Sequence, residues 1–205
     1  KCDHVRLPVD YNVFMEKDGT FIPEGFKYLD NAVAWCGEYG LNMVLDIHKT
    51  VGFHFDPHEN EFGFFDNAEY QELFKHLWRE LARRYGNLGD RVIFELLNEV
   101  TSPSFNETWN RVAVETIAEI RKIAPKVKIL FAGYWNGSID SGKDLVAPPD
   151  ENVIYNFHCY SPLIFTHQAA GWMDGMPTDN FHVPYPVTYD DENVQRGKAA
   201  YEKMC

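Results

Sequence analysis

Strand-like and helix-like segments alternate along this chain, which predicts an α/β fold of parallel strands covered by helices. Three observations carry that expectation. Five short apolar runs rich in β-branched or large side chains read as strands: Val5–Val9, Asn42–Ile47, Val92–Leu97, Lys128–Ala132 and Val153–His158. Helical periodicity fills most of the gaps between them. Polar residues gather where the strands end. Two architectures meet these conditions: an open doubly wound sheet, and a (β/α)8 TIM barrel that is incomplete, with about five β/α units present. A whole barrel takes roughly 250 residues, against 205 here. No Gly-rich dinucleotide loop follows any strand, and polar strand ends suit the barrel.

The helices come in order. Phe26 to Tyr39 places Phe26, Leu29, Val33 and Cys36 at three- and four-residue steps, and Gly40 suits the position after a helix. The second helix is expected from Asp66, with Glu69 completing a capping-box-like start, and runs through Leu73, Phe74, Leu77, Trp78, Leu81 and Tyr85 to Gly86. The third spans about Asn106–Ile123, with Pro125 beyond it. Residues 137–149 have room for a short helix only. A last helix is expected from near Asp191 to Cys205. Trp35, Trp78 and Trp109 sit on helices at core spacing and are expected to be packing residues. With no repeat, low-complexity tract or linker, residues 1–205 read as a single domain.

Composition narrows the function. Asp and Glu number 31 against 19 Lys and Arg, a formal charge of −12. That balance argues against nucleic acid and anionic membrane as partners, since both call for a cationic footprint. No run approaches the roughly 18–20 apolar residues of a membrane span. The chain opens at Lys1 without Met, so the lack of a visible leader says nothing about compartment. Cys2, Cys36, Cys159 and Cys205 form no CxxC pair, and four reduced thiols are expected.

Side chains alternate along a strand, so each run divides into two faces. His4 and Arg6 share one face of the first strand, with Val5, Leu7 and Val9 opposite. Val44, Asp46 and His48 oppose Met43, Leu45 and Ile47; Asn156, His158 and Tyr160 oppose Tyr155, Phe157 and Cys159. Strict alternation would send Asn98 and Glu99 opposite ways, so a bulge or twist is expected there if both serve one site. Taken singly, each polar residue has a bland explanation; Arg6, for instance, could simply pair with Glu95 or Asp46. Their convergence at matching strand ends favours a reaction centre.

Four segments in succession carry a family resemblance: Val5-Arg6-Leu7-Pro8, Leu45-Asp46-Ile47-His48, Phe94-Glu95-Leu96-Leu97-Asn98-Glu99 and Asn156-Phe157-His158-Cys159-Tyr160. Together they resemble glycoside hydrolase family 5, retaining β-glycanases on (β/α)8 barrels, from that family's second strand to its sixth. The resemblance implies that Glu99 is the general acid/base and that Asn98 bonds the sugar 2-hydroxyl. It implies that Arg6 steadies the nucleophile, and that His48, His158 and Tyr160 line the subsite of the cleaved sugar. The family's nucleophilic Glu, on its seventh strand, has no counterpart here. Asp174, Asp179, Asp190, Asp191, Glu192 and Glu202 lie in loop or helix and do not inherit its role. The expected activity is hydrolysis of a β-linked oligo- or polysaccharide by the complete parent protein, with these 205 residues inactive or nearly so. No cofactor and no metal are implied, and a secreted or cell-surface location is favoured.

Trp135 is the leading candidate for a flat sugar platform, with Trp172 second, because pyranose CH groups pack on aromatic faces. The segment Phe53-His54-Phe55-Asp56-Pro57-His58 is expected to wall the cleft. Three rivals remain. Gly137-Ser138-Ile139-Asp140-Ser141-Gly142-Lys143 has P-loop spacing, but Asp144 stands where Ser or Thr should reach magnesium. A metal-dependent sugar-converting barrel could use His48, Glu99 and His158 as ligands. A non-catalytic carbohydrate-binding barrel would need the aromatics without Glu99.

Overall fold

A computed structural model of the chain describes residues 2–56, 59–173, 176–178, 181–188, 192 and 194–197. It divides into two compact units, Lys1–His158 and Cys159–Cys205.

In the first unit, strands β1 (His4–Asp10), β2 (Asn42–Thr50), β4 (Val92–Glu95), β5 (Ile129–Phe131) and β6 (Val153–Tyr155) lie side by side in that order, all parallel. A two-residue strand β3 (Phe53–His54) folds back antiparallel on the end of β2, a hairpin that the sequence pattern does not predict. A doubly wound sheet reverses its strand order at a switch point. Here the order is strictly sequential, so the sheet is one arc of a (β/α)8 barrel. The third predicted strand stops at Glu95 rather than Leu97, and the fifth at Tyr155 rather than His158, although single backbone bonds from Leu96 N to Leu130 O and from Asn156 N to Phe131 O continue past those ends.

Helices α1 (Pro23–Tyr39), α2 (Ala68–Tyr85) and α3 (Asn106–Ile123) make the crossovers, while β5 and β6 are joined by α4 (Tyr134–Gly137) and a 3-10 segment, Ile139–Asp144. Among the described residues no long helix succeeds Lys143, so the P-loop rival lacks the helix that would hold a phosphate. Pro23 starts α1 three residues before the expected Phe26, its fixed φ being suited to a first helical turn. Gly40, at φ 65°, ends it. The cap of α2 is Asn67, not Asp66: its side-chain oxygen accepts from Glu69 N at 2.8 Å and Tyr70 N at 3.4 Å.

Trp78 and Trp109 are fully buried, but Trp35 is 60% exposed, contrary to expectation. It lies nine residues beyond Phe26, about two and a half helical turns, and so on the opposite face. Tyr28 and Tyr39 are exposed as well. The two buried indoles also tie helix to strand end. Trp78 Nε1 donates to Leu96 O (3.2 Å) just past β4, and Trp109 Nε1 donates to Ala132 O (2.8 Å) just past β5.

The second unit contains α5 (Leu163–Thr166) and a small core that includes Ile164, Met173, Met176, Phe181, Val183 and Val194. Residues 192 and 194–197 are helical, in line with the expected last helix; Asp191 and residues 198–205 lie outside the described residues. So do His58, Asp174, Asp179, Asp190 and Glu202.

Candidate active site

Arg6 projects from β1 into the arc and is held on three sides. Its Nε donates to Glu95 Oε2 (2.7 Å), and its second terminal nitrogen donates to Glu95 Oε1 (2.9 Å) and Asn98 Oδ1 (2.8 Å). The same nitrogen stands 3.0 Å from Asp46 Oδ2. Both bland partners of Arg6 are therefore real, and Asn98 is a third. Asp46 and Glu95 are Cα neighbours across β2 and β4, and both are buried. Two carboxylates side by side in a dry sheet would repel; the guanidinium between them makes the pair tolerable.

Asp46 Oδ2 also lies 2.7 Å from His48 Nδ1. With the carboxylate accepting, Nδ1 carries the proton and Nε2 is left for a ligand. Burial pushes the Asp46 carboxyl up, against the opposing pull of the His48 hydrogen bond and the Arg6 charge. For Arg6, burial works downward, but the Glu95 hydrogen bonds and the Asp46 and Glu95 charges outweigh it and raise the guanidinium.

The backbone past β4 explains how Asn98 and Glu99 serve one site. Asn98 N donates to Ile47 O (2.9 Å), prolonging the sheet, and Glu99 then adopts a left-handed φ of 39°. That turn replaces strict alternation, as expected from the sequence, and aims both side chains inward. Glu99 Oε1 lies 2.6 Å from His158 Nδ1, and Glu99 Oε2 accepts from Asn136 Nδ2 at 3.2 Å. The other His158 nitrogen is 3.5 Å from Glu95 Oε1, which also accepts from Asn156 Nδ2 at 3.1 Å. Flanked by hydrogen bonds to Glu95 and Glu99, His158 is raised to about 9 and is cationic at neutral pH. Burial works to raise Glu95, but its bonds to His158 and Arg6 prevail and hold it at about 2.

Arg6, His48, Asn98, Glu99 and His158 are thus one connected cluster. Sequence reasoning missed Asn136 as a member, gave no task to Asn156, and read Asp46 only as a possible partner of Arg6. Asn136 succeeds Trp135 in a pair of left-handed residues, at φ 56° and 48°; Asn favours that conformation and Trp seldom adopts it, so the chain gave only half a signal. The Trp135 side chain is 55% exposed beside the cluster's Asn136. Tyr160 belongs to the second unit, where its ring meets His167 edge-on at 5.1 Å, and Trp172 there is exposed. His4, at the other end of β1, bonds to Asp3 and takes no part. Among the described residues, no three His, Cys, Asp or Glu side chains converge as a metal site.

The family model for cellulase, glycosyl hydrolase family 5, matches residues 1–204. Cellodextrinase A of Ruminococcus flavefaciens is 54% identical over 170 residues, covering 83% of this chain and 51% of that protein. Endoglucanase C of Acetivibrio thermocellus is 37% identical over 190 residues, covering 92% and 55%. The crystal structure of endoglucanase Cel5A from Thermotoga maritima superposes with a TM-score of 0.71 at 30% identity, over 85% of this chain and 54% of that one. The chain spans about half the length of these relatives. With a parallel barrel arc, the Asn98–Glu99 turn and a family match along almost its whole length, this chain belongs to glycoside hydrolase family 5.

Proposed function

We propose that this chain, as part of one barrel domain covering residues 1–205, carries the acid/base half of a retaining β-glucan hydrolase. Short cello-oligosaccharides are the favoured substrates, by the name of the cellodextrinase relative. The observation that supports it is the setting of Glu99: one carboxylate, 9% exposed, with a different donor on each oxygen. Glu99 protonates the departing glycosidic oxygen. Once the proton has left, His158 Nδ1–H and Asn136 Nδ2–H satisfy the two carboxylate oxygens. The same group then takes a proton from the incoming water.

Asn98 is buried, its Oδ1 fixed by Arg6 and its Nδ2 without a partner among the described residues. An amide donor held in this way suits a sugar hydroxyl, which restores the hydrogen bond that burial removes. His48 Nε2 serves a second hydroxyl. Trp135 supplies an exposed face for a neighbouring pyranose. A retaining pair needs a second carboxyl about 5–5.5 Å away. Asp46 and Glu95 are buried and ion-paired to Arg6, which suits neither to attack a sugar. On this reading the nucleophile is supplied by the longer parent protein, and the 205 residues alone turn over little or nothing.

The test is Glu99→Gln in the parent protein, assayed on an aryl β-cellobioside. Turnover falls by about 10²–10⁴-fold, the usual worth of a positioned acid or base. Activity within about threefold of the unaltered protein, far short of that worth, overturns the assignment.

A further inference from the structure

Beyond β2 the chain builds a pocket of about 340 Å³, separate from the hydrogen-bonded cluster. Its apolar walls are Phe53, Phe62, Phe65 and Phe105, and Asp66 and Thr101 stand at it with no side-chain partner among the described residues. Phe65 and Phe105 lie face to face, 4.0 Å between centroids and 7° between planes, so they form one flat-sided block. Phe62 is 68% exposed, unusual for a ring so near a cavity.

The pocket is preformed. Glu61 accepts from Tyr11 OH (3.0 Å) and Gly52 N (3.1 Å), and pairs with Lys17 Nζ at 3.1 Å, which ties the loop to the segment after β1. Gly52 holds φ 79° where an added Cβ would meet Tyr70 at 2.4 Å, so the hairpin end has one tight seating. The pocket also adjoins the cluster at two points. His54 and Phe55 line it and pack against His48, with ring centroids 6.0 and 5.1 Å away, and Thr101 lies two residues past Glu99. Apolar walls with a few free polar groups are the makings of a small-ligand site. A pyranose matches both, with CH faces for the rings and hydroxyls for a carboxylate and a hydroxyl.

We propose that this pocket is an additional sugar subsite, holding one pyranose unit of a β-linked glucan chain whose scissile bond lies at Glu99. It rests on the function proposed above, and it makes Phe62 a specificity-determining residue rather than a catalytic one. The experiment uses the parent protein and two substrates. Phe62→Ala lowers kcat/KM on cellohexaose by about three- to tenfold, the scale of one lost aromatic contact, and leaves an aryl β-cellobioside unchanged. Phe62→Trp restores the cellohexaose value. Equal losses on both substrates, or none on cellohexaose, overturn the subsite. Equilibrium binding of cellohexaose in a Glu99→Gln background gives a readout free of turnover. There Phe62→Ala raises Kd by the same factor if the subsite exists, and an unchanged Kd rejects it. The acid/base assignment fails separately, through retained activity of Glu99→Gln alone.

Discussion

Replacing Glu95 with Gln keeps the side chain's shape and removes its charge. Glu95 takes two hydrogen bonds from Arg6 and one from Asn156, with His158 at 3.5 Å, and its side chain is only 3% exposed. The Gln amide would set a donor against a guanidinium donor. Holding the carboxyl at about 2 instead of 4.5 corresponds to about 3 kcal/mol of folding stability. Removing one partner of a buried ion pair typically costs roughly 3–5 kcal/mol, so the two routes agree. Both neighbours set the sign with pH. Glu95 is depressed, so its contribution is complete above pH 4.5 and lost as pH falls towards about 2. His158 is raised, so its contribution is complete below pH 6.5 and lost as pH rises through about 9. The gap between the unaltered protein and Glu95→Gln is therefore widest from pH 4.5 to 6.5. Urea unfolding, monitored by tryptophan fluorescence from about pH 3 to about pH 9, measures it. A difference below about 0.5 kcal/mol near the middle of that window, within the range of ordinary surface changes, would show that Glu95 is not the buried partner of Arg6.

Two further outcomes concern stability alone. At Gly25 an added Cβ would fall 1.7 Å from Val13 O, so Gly25→Ala forces α1 off the segment after β1 and costs about 1–3 kcal/mol in the same unfolding assay; a neutral result would mean that α1 starts elsewhere. Asn67→Ala removes the cap of α2 and costs about 1 kcal/mol, whereas Asp66→Ala changes stability by less than half of that; the reverse order would restore Asp66 as the cap.

Much of this was written in local pattern. Helical periodicity located α2 and α3 almost to the residue, because their apolar stripes are continuous and face one sheet. Alternation put Arg6, His48 and His158 on inner faces, and the Asn98–Glu99 pair required a turn that the backbone provides. Periodicity failed where one helix carries two apolar stripes, as α1 does: Trp35 obeys the spacing and faces outward. Strand ends were overextended at Leu97 and His158 because alternation in the sequence runs on where regular pairing gives way to single backbone bonds. Asn136 was invisible for a different reason. Its place beside Glu99 depends on two successive left-handed residues after β5, one of them a Trp that no propensity favours there. The task of Asn156 could not be inferred either, since it acts on Glu95, 61 residues away in sequence; Asp46 was legible as a partner of Arg6 but not as the residue that holds His48.

The guanidinium of Arg6 meets partners 89 and 92 residues further along the chain. Until the first strand is seated, Asp46 and Glu95 would line up as adjacent anions with nothing between them, so zipping β2 onto β4 alone is electrostatically disfavoured. Arg6 therefore acts as a keystone: its guanidinium ties the first strand to the two carboxylates at the centre of the sheet. A partly unravelled chain consequently leaves Asn98, the neighbour of Glu99, without the guanidinium that fixes its side chain.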